Sequence, residues 1–411
     1  MYFFGNFVAT SSVVLAIVCL ILVILACVFL VLWLKAKGQV ITVSNSSTVT
    51  GQVVPSRYTN KAALTPFINN ITSTRWRILC IGDGPFGNTT VNPGATEVSG
   101  VPYFLYALIA QSPQYGQILT RQNVFGYDAA LLDPRVNFNG SWTGAPMTTG
   151  FGIGGRYFST TVVSTLTFQT TEVSLNQQFA IYALATSAKF TINATGSNTA
   201  TTITPSSMTP IAGTNIVRFV YNNPATSTNY PLLTITALNA TSSTPVQLFG
   251  LAMEGSFSDV INASFTSMSS QALCTAGSPT SLVGAGLTAL QPNLVVLMPP
   301  VADYSSGNSM SQNVTNIGQI LNACRAQNCK VLAVSPPWID GVSSDTQAAY
   351  NAAMQQLYAQ YTDIVAFYDF QADMVSLATE KQLGLFNSNG DSMRLSLLGG
   401  VRMAQGINAA L

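Results

Sequence analysis

The stretch RILCIGDG, residues 77–84, predicts the fold class of this 411-residue chain. Its first five residues form an apolar run that Gly-Asp-Gly ends, as expected of a strand that is buried on both faces and followed by a loop. From residue 293 onward, the runs NLVVLMPP, KVLAVSPP and DIVAFYDF alternate with helical patterns at residues 312–326, 346–361 and 395–411. This alternation predicts a parallel sheet with helices on both faces.

A different pattern lies between these two regions. From residue 150 to residue 255, Ser and Thr are dense, and short runs of alternating polarity, such as QQFAIYALA and PLLTITALN, are separated by turn residues. Short strands at this spacing predict an antiparallel β-sandwich. The sequence therefore predicts an α/β domain made of residues 75–149 and 256–411, with the sandwich of residues 150–255 inserted into it.

The N-terminal region predicts a membrane anchor. Residues 13–34 are 22 consecutive residues without a charged side chain, and an α-helix of that length spans roughly 33 Å, against a hydrocarbon core of ~30 Å. We therefore predict a transmembrane helix within residues 8–34, with the lipid bilayer as the partner of residues 13–34. Residues 35–74, rich in Ser, Thr and Asn, are predicted to form a stalk. The chain is expected to be a single-pass membrane protein of a cell surface or a virion.

Two signals disagree on the side of the membrane where the rest of the chain lies. Lys35 and Lys37 follow the apolar span, so the positive-inside rule places the residues after them in the cytosol. Against this stand eight N-x-[ST] sequons, the acceptor sites of N-glycosylation in secreted domains. They are at Asn45, Asn70, Asn88, Asn139, Asn193, Asn239, Asn262 and Asn313. The sequence leaves both orientation and glycosylation open.

Composition excludes several classes of function. Only 8% of residues are charged, and 16 basic residues face 15 acidic ones, so the chain lacks the basic footprint that a nucleic-acid partner requires. The chain has no histidine. This excludes Ser-His-Asp and Cys-His mechanisms and every His-ligated metal site. No cofactor and no metal site is predicted.

Four blocks, in order, resemble the SGNH (GDSL-type) hydrolase superfamily of esterases, lipases and carbohydrate deacetylases. They are RILCIGDG (77–84), VINASFTSM (260–268), PNLVVLMPPVAD (292–303) and DSMRLSLLGGVRMAQGI (391–407). The resemblance covers roughly residues 75–411 and implies an SGNH-like parallel sheet flanked by helices. With the segments predicted above, the expected fold class is α/β, with an inserted antiparallel β-sandwich and an N-terminal transmembrane helix.

The resemblance places the catalytic positions of the family on residues of different chemistry. The nucleophilic serine falls on Gly84, the histidine on Arg394, and the two oxyanion-hole residues on Ser267 and Ala302. Only the acid, at Asp391, is retained. Because glycine has no hydroxyl and arginine stays protonated, the resemblance predicts an inactive, pseudoenzyme form of the fold.

The arginine at this position needs a negative partner. It cannot lose its proton on entering a partly buried site. The sequence therefore predicts a structural ion pair of Arg394 with Asp391 or Asp83, in the space that a substrate acyl group would need. Asp83 is also expected to accept hydrogen bonds from loop amides.

Three functions remain open on the sequence alone. The first, which the sequence favours, is a membrane-anchored, non-catalytic structural or interaction protein whose partners are other proteins of a virion or surface coat. The second is the binding of glycans or other ligands, with Trp142, Tyr157 and Trp338 as aromatic contacts. The third is an esterase or deacetylase with a relocated nucleophile, Ser267 or Ser392, and a lysine or carboxylate base. The sequence thus predicts that the chain is not an enzyme.

Overall fold

A computed structural model describes the C-terminal part of the chain. The described residues are 57–71, 75–87, 100–111, 119–120, 123–131, 133, 135–145, 151–152, 155–169, 178–194, 200–222, 232–254, 258–264, 269–275, 282–304, 307–374, 376–386 and 395–411. The predicted transmembrane helix within residues 8–34 lies outside them. In the described ranges, no helix combines the length and the apolar character that crossing a bilayer requires.

Strands occur along the whole described part of the chain. In chain order they are β1 (Tyr58–Thr59), β2 (Arg77–Ile81), β3 (Leu119–Thr120), β4 (Asn123–Phe125), β5 (Val136–Asn139), β6 (Thr143–Gly144), β7 (Phe151–Gly152), β8 (Gly155–Arg156), β9 (Phe158–Thr160), β10 (Thr165–Gln169), β11 (Gln178–Leu184), β12 (Phe190–Ala194), β13 (Thr201–Ile203), β14 (Ile216–Asn222), β15 (Leu232–Ala237), β16 (Val246–Glu254), β17 (Ser258–Asn262), β18 (Leu294–Leu297), β19 (Lys330–Val334) and β20 (Val365–Tyr368).

Helices lie before, between and after the strands of the α/β region. They are α1 (Thr65–Asn70), α2 (Gly84–Gly87), α3 (Val101–Gln111), α4 (Tyr127–Ala130), α5 (Ser270–Thr275), α6 (Leu282–Leu290), α7 (Met310–Ala326), α8 (Ser344–Tyr358), α9 (Phe370–Met374), α10 (Leu377–Gln382) and α11 (Leu397–Ala410), with short 3-10 turns at Lys61–Leu64, Pro205–Ser207 and Val301–Tyr304. The predicted helix start at residue 312 lies two residues too late. The Ser309 side chain accepts a hydrogen bond from the Gln312 N–H and begins α7 earlier.

The α/β region is organised around one sheet of mostly parallel strands. Its described order is β1-β20-β19-β18-β2-β17-β3, with β1 antiparallel at the edge and the other pairs parallel. The two strands predicted from residues 77–81 and 293–298 are direct neighbours, with Ile78 opposite Leu294. This confirms the predicted α/β class and brings the first and third sequence blocks together.

The central strands are buried on both faces, as their continuous apolar runs predict. Ile78 and Cys80 pack in one hydrophobic core, and Leu79 and Ile81 pack in the other. Helices α3 and α11 contribute to the first core and helices α7 and α8 to the second. Each side of the sheet is therefore covered.

Two antiparallel sheets form the β-rich region. Their orders are β13-β12-β15-β10-β5 and β14-β11-β16-β9-β6, with β4 also paired to β16. Side chains of both sheets share one hydrophobic core, for example Phe168 from one and Phe179 from the other. The strands β4, β5 and β6 lie before residue 150, so these sheets take in more of the chain than the predicted boundaries of 150–255.

The predicted stalk of residues 35–74 needs a correction at its C-terminal end. Residues 57–71 are folded onto the sheet, where β1 pairs with β20. Leu64, Phe67 and Ile71 are buried, since their spacing places them on one face of a helical segment. The abundance of small polar residues concealed this apolar face.

Candidate functional site

The first sequence block ends at the carboxyl edge of the parallel sheet. Strand β2 leads into Gly82 and Asp83, and Gly84 begins the short helix α2. The Phe86 N–H donates to the Asp83 carbonyl oxygen at 3.0 Å, which closes this turn. A Cβ atom at Gly82 would lie 2.8 Å from the Phe86 Cβ, so the turn requires glycine there. The turn therefore holds the Asp83 side chain in a fixed position.

The Asp83 carboxyl joins the first and third blocks. Its Oδ2 accepts a hydrogen bond of 3.0 Å from the backbone N–H of Ala302, in the 3-10 turn that follows β18. Asp83 is only 1% exposed. Its Oδ1 atom is buried and makes no hydrogen bond with the described residues. A buried acceptor of this kind calls for a bound water or a chemical role.

The environment of Asp83 changes its acidity. The pKa of this carboxyl is raised from an ordinary 3.8 to about 8, because burial, with a smaller contribution from the neighbouring Asp303, outweighs the lowering effect of the hydrogen bond from the Ala302 amide. Burial has this effect because the charged form loses its hydration. A carboxyl with a pKa near 8 carries a proton at mildly acidic pH and becomes a much stronger base than an ordinary aspartate once it ionises.

Two further polar groups lie near this carboxyl, Tyr304 within reach of the Asp83 charge and Gln371 next to Tyr304. The Tyr304 hydroxyl and the Gln371 side-chain nitrogen are buried without a hydrogen bond to the described residues. Burial raises the pKa of the Tyr304 phenol, the Asp83 charge raises it further, and the Gln371 amide lowers it. Tyr304 therefore keeps its proton and can donate it in a hydrogen bond. The three side chains form a cluster of unsatisfied polar atoms, called here the Asp83 cluster.

Asp303 braces the loop beneath this cluster. Its Oδ1 accepts from the Ser270 N–H at 2.8 Å, and its Oδ2 accepts from the Tyr350 hydroxyl at 2.8 Å. Both bonds are buried, so Asp303 fixes the turn that carries Ala302 and Tyr304. Asp303 thus positions the site through its neighbours.

Several predicted site residues lie outside the described ranges. These are Ser267, Asp391, Ser392 and Arg394. The predicted ion pair of Arg394 with Asp391 or Asp83 therefore stays a prediction. Of the catalytic positions that the resemblance implies, the structure describes Gly84 and Ala302, and it brings both beside Asp83.

The candidate aromatic contacts for glycans are core residues where the structure describes them. Trp142 and Tyr157 are each 4% exposed and belong to hydrophobic cores. Trp338 is half-buried and donates from its indole nitrogen to the Gln371 carbonyl oxygen. Trp142 and Tyr157 therefore do not present a binding surface.

One predicted sequon is incompatible with the folded domain. Asn313 is 3% exposed within α7, and its side-chain nitrogen lies 3.5 Å from the Asp303 carbonyl oxygen. Asn70, Asn139 and Asn239 are exposed. Asn193 and Asn262 are half-buried. Asn45 and Asn88 lie outside the described residues.

A small cavity of about 50 Å³ lies next to strand β17, the neighbour of β2. Polar side chains line part of it, at Tyr103, Asn123, Asp133, Arg135 and Asn262. The Arg135 guanidinium is held by the Asp133 carboxylate, with 2.5 Å between Nη2 and Oδ2. The cavity offers hydrogen-bonding groups beside the strand that neighbours Asp83.

Several solved structures are similar to this chain. A peptidoglycan O-acetylesterase matches with a TM-score of 0.62 and 15% sequence identity, over 86% of this chain and 97% of that one. An acetylxylan esterase from Geobacillus stearothermophilus matches with a TM-score of 0.30 and 15% identity, over 37% and 72%. A family two carbohydrate esterase from Cellvibrio japonicus matches with a TM-score of 0.27 and 8% identity, over 71% and 96%. No protein-family model and no curated protein sequence matches the chain.

The first of these matches, at 15% identity, shows that the chain shares the fold of a peptidoglycan O-acetylesterase. It also corrects one prediction. The expectation that the chain is not an enzyme is wrong in view of the comparison, because the solved structure that shares its fold is that of a peptidoglycan O-acetylesterase.

The buried carboxyl of Asp83 predicts a dependence of stability on pH. The folded-state pKa, about 8, lies above the ordinary value, so the folded state holds a proton that the unfolded state releases. The free energy of unfolding should therefore fall as pH rises from about 4 to about 8, and should be constant above about pH 8. The total fall is at most roughly 1.4 kcal/mol for each unit by which the folded-state pKa exceeds the unfolded-state pKa. Urea unfolding midpoints across this range should show this slope in the wild type.

Asp83→Asn should flatten that slope, since asparagine does not titrate. Glu380, whose pKa burial also raises to about 8, contributes in the same direction, so the double variant with Glu380→Gln should be flatter still. An unchanged slope in both variants would show that these carboxyls are not buried in the folded chain.

Proposed function

We propose that this chain hydrolyses carboxylic esters of carbohydrates, with the Asp83 carboxylate as the base. The likeness of the fold to a peptidoglycan O-acetylesterase supports the reaction class and the substrate class. The observation that carries the proposal is the buried Asp83 Oδ1, which has no hydrogen-bond partner among the described residues and lies beside a protonated phenol. This arrangement suits a water molecule held for attack.

The reaction must proceed without a serine–histidine pair. Gly84 has no hydroxyl and the chain has no histidine, so no acyl-enzyme forms at this position. Water attacks the ester carbonyl carbon, and Asp83 accepts the proton that the water loses. The C–O bond of the ester then breaks, and Asp83 returns the proton to the departing sugar oxygen. The products are a carboxylic acid and a free sugar hydroxyl.

The remaining members of the Asp83 cluster stabilise the charge that develops. The Tyr304 phenol and the Gln371 amide each carry a hydrogen-bond donor, and a tetrahedral intermediate places a negative charge on the former carbonyl oxygen. Buried donors of this kind are effective because they are already oriented and shielded from water. The raised pKa of Tyr304 keeps its donor in place at neutral pH.

The test is acetate release from acetylated xylo-oligosaccharides and acetylated peptidoglycan fragments. We expect turnover by the full-length chain and a loss of 100-fold or more in Asp83→Asn, in line with ~10²–10⁴-fold for general-base catalysis. Glu380→Gln is the matched control, because Glu380 is equally buried with a raised pKa but does not act on Tyr304. It should keep its rate within about threefold. Equal rates in wild type and Asp83→Asn would overturn the proposal.

The second part of the proposal concerns where in the cell or virion the chain acts. The apolar segment of residues 13–34 would anchor the domain in a bilayer, with a cell surface or a virion coat as the place of action and other coat proteins as partners. A gel shift after glycosidase treatment of natively expressed protein tests the orientation. A shift that Asn139→Gln and Asn239→Gln reduce, and Asn313→Gln does not, would place the domain outside. The absence of any shift would favour the cytosolic side.

A further inference from the structure

Two cysteines meet where helix α7 leads into strand β19. Cys324 lies in the last turn of α7, and Cys329 directly precedes Lys330, the first residue of β19. Both cysteines are free thiols with an exposure of 0%, and they belong to the same hydrophobic core. The pair lies at the amino end of its strand, whereas Asp83 follows the carboxyl end of β2. Its chemistry therefore does not depend on the proposed hydrolysis.

The backbone brings the two cysteines together in a Schellman motif. The Cys329 N–H donates to the Cys324 carbonyl oxygen at 2.9 Å, and the Asn328 N–H donates to the Arg325 carbonyl oxygen at 3.0 Å. Asn328 has the positive φ, 53°, that this motif uses just beyond the end of a helix. The motif commonly places the third-last helical residue in contact with the second residue after the cap. In this chain those residues are Cys324 and Cys329.

The separation of the two cysteines fits a disulfide, which requires Cα atoms no more than ~7 Å apart. The hydrogen bond of 2.9 Å joins the Cys329 nitrogen to the Cys324 carbonyl oxygen, and standard bond lengths then keep the two Cα atoms within ~7 Å. The two thiols are also hydrogen-bonded to each other. The pair can therefore be bridged without a change of fold.

The other two described cysteines are not candidates for this bond. Cys80 packs in the core on the other side of the sheet. The Cys274 thiol donates to the Asn316 carbonyl oxygen at 3.1 Å, and the rise of an α-helix separates Asn316 from Cys324 by ~12 Å along α7. Among the described cysteines, Cys324 and Cys329 thus form a defined pair.

We infer that Cys324 and Cys329 form an intramolecular disulfide when the chain folds in the presence of a low-molecular-weight disulfide, such as glutathione disulfide. One cysteine thiolate attacks the small disulfide, which releases one small thiol and leaves a mixed disulfide. The second cysteine attacks the mixed disulfide and displaces the other small thiol. The two cysteines lose two electrons and two protons, and the small disulfide takes up both to become two thiols.

The folded core determines when this exchange occurs. Burial and the hydrogen bond to Cys324 raise the pKa of the Cys329 thiol well above its ordinary value. Because the thiolate is the attacking form, the reduced pair reacts slowly once it is buried. The bond therefore forms during folding, and it depends on the redox state of the compartment in which the chain folds. A chain that folds in a reducing cytosol keeps both thiols.

The experiment maps the thiols of the full-length chain after expression in bacteria with a reducing cytosol and in bacteria with an oxidising cytosol. The protein is unfolded without reductant, alkylated and digested with trypsin, which cleaves after Arg325 and so separates the two cysteines. Mass spectrometry then measures alkylation of Cys329. We expect roughly fivefold less alkylation, or lower still, in the chain from oxidising cells, and full alkylation once a reductant is added.

Variants assign the bond to this pair. Cys324→Ser should restore the alkylation of Cys329 in oxidising cells, because its partner is lost, and Cys329→Ser should do the same for Cys324. Cys80→Ser is the matched control, since it removes an equally buried thiol from the other core, and it should leave Cys329 protected.

Thermal unfolding gives a second measurement. A reductant should lower the Tm of the wild type and of Cys80→Ser from oxidising cells, because the cross-link is lost. It should leave the Tm of Cys324→Ser unchanged. Circular dichroism checks that each variant is folded. Equal alkylation of Cys329 in wild-type chains from the two kinds of cell would overturn the inference, as would protection of Cys329 that persists in Cys324→Ser.

Discussion

Asp259→Ala is expected to lower the free energy of unfolding by about 3–5 kcal/mol, because it leaves a buried guanidinium without its carboxylate. Asp259 is 1% exposed and accepts from the Arg77 Nε at 2.9 and 3.1 Å. These residues lie opposite each other in the paired strands β17 and β2. The substitution therefore removes an ion pair between β17 and β2, and β2 is the strand that leads to the candidate site. Urea unfolding of the wild type and the variant measures it.

Asp340→Ala is the matched control. Asp340 forms an ion pair with Lys381, but both side chains are more than 40% exposed, and exposed pairs contribute under about 1 kcal/mol. If Asp259→Ala lowered the free energy of unfolding by as little as Asp340→Ala does, Asp259 would be solvated, and β2 and β17 would not be paired as described.

Gly406→Ala should destabilise the chain by about 1–3 kcal/mol, although alanine is the better helix former by about 1 kcal/mol. An added Cβ would overlap the Tyr368 ring. That ring cannot move easily, since it stacks on Tyr58 with 5.1 Å between centroids and its hydroxyl donates to the Asp373 Oδ2 at 3.0 Å. Overlap therefore outweighs helix propensity at this position.

Gly318→Ala tests the same argument in a helix with room for the methyl group. There, an added Cβ would lie 3.6 Å from the Leu357 Cδ1 and 3.8 Å from the Tyr361 hydroxyl, which are ordinary contacts. We expect a gain of up to about 1 kcal/mol in the free energy of unfolding. If Gly406→Ala proved as benign as Gly318→Ala, helix α11 would not pack on β20 as described.

Local patterns in the sequence predicted the central elements of the fold. Strand β2 has the bounds that its apolar run indicates, because a continuous apolar run is itself the pattern of a strand buried on both faces. The early sandwich strands were missed, since β5 reads VNFN and β6 has only two residues. Such short polar strands are recognisable only through their partners in the sheet.

One part of the candidate site could be predicted from the sequence. The block that ends in Gly-Asp-Gly identified Asp83, because a motif carries local information. Gln371 comes from a helix almost 300 residues later in the chain, and its position beside Tyr304 depends on the packing of α9 against the sheet. Burial, which raises the pKa of Asp83, is likewise a property of the assembled layers. No local pattern indicates these features.

The most direct test of the central claim is the pH dependence of ester hydrolysis. Initial rates of acetate release by the full-length chain would be measured from about pH 5 to about pH 9.5, with Asp83→Asn as the background at each pH. The account predicts that the difference rises as Asp83 loses its proton, with a midpoint near the pKa of about 8, and then reaches a plateau. No difference at any pH, or a midpoint near the ordinary aspartate value of ~4, would contradict it.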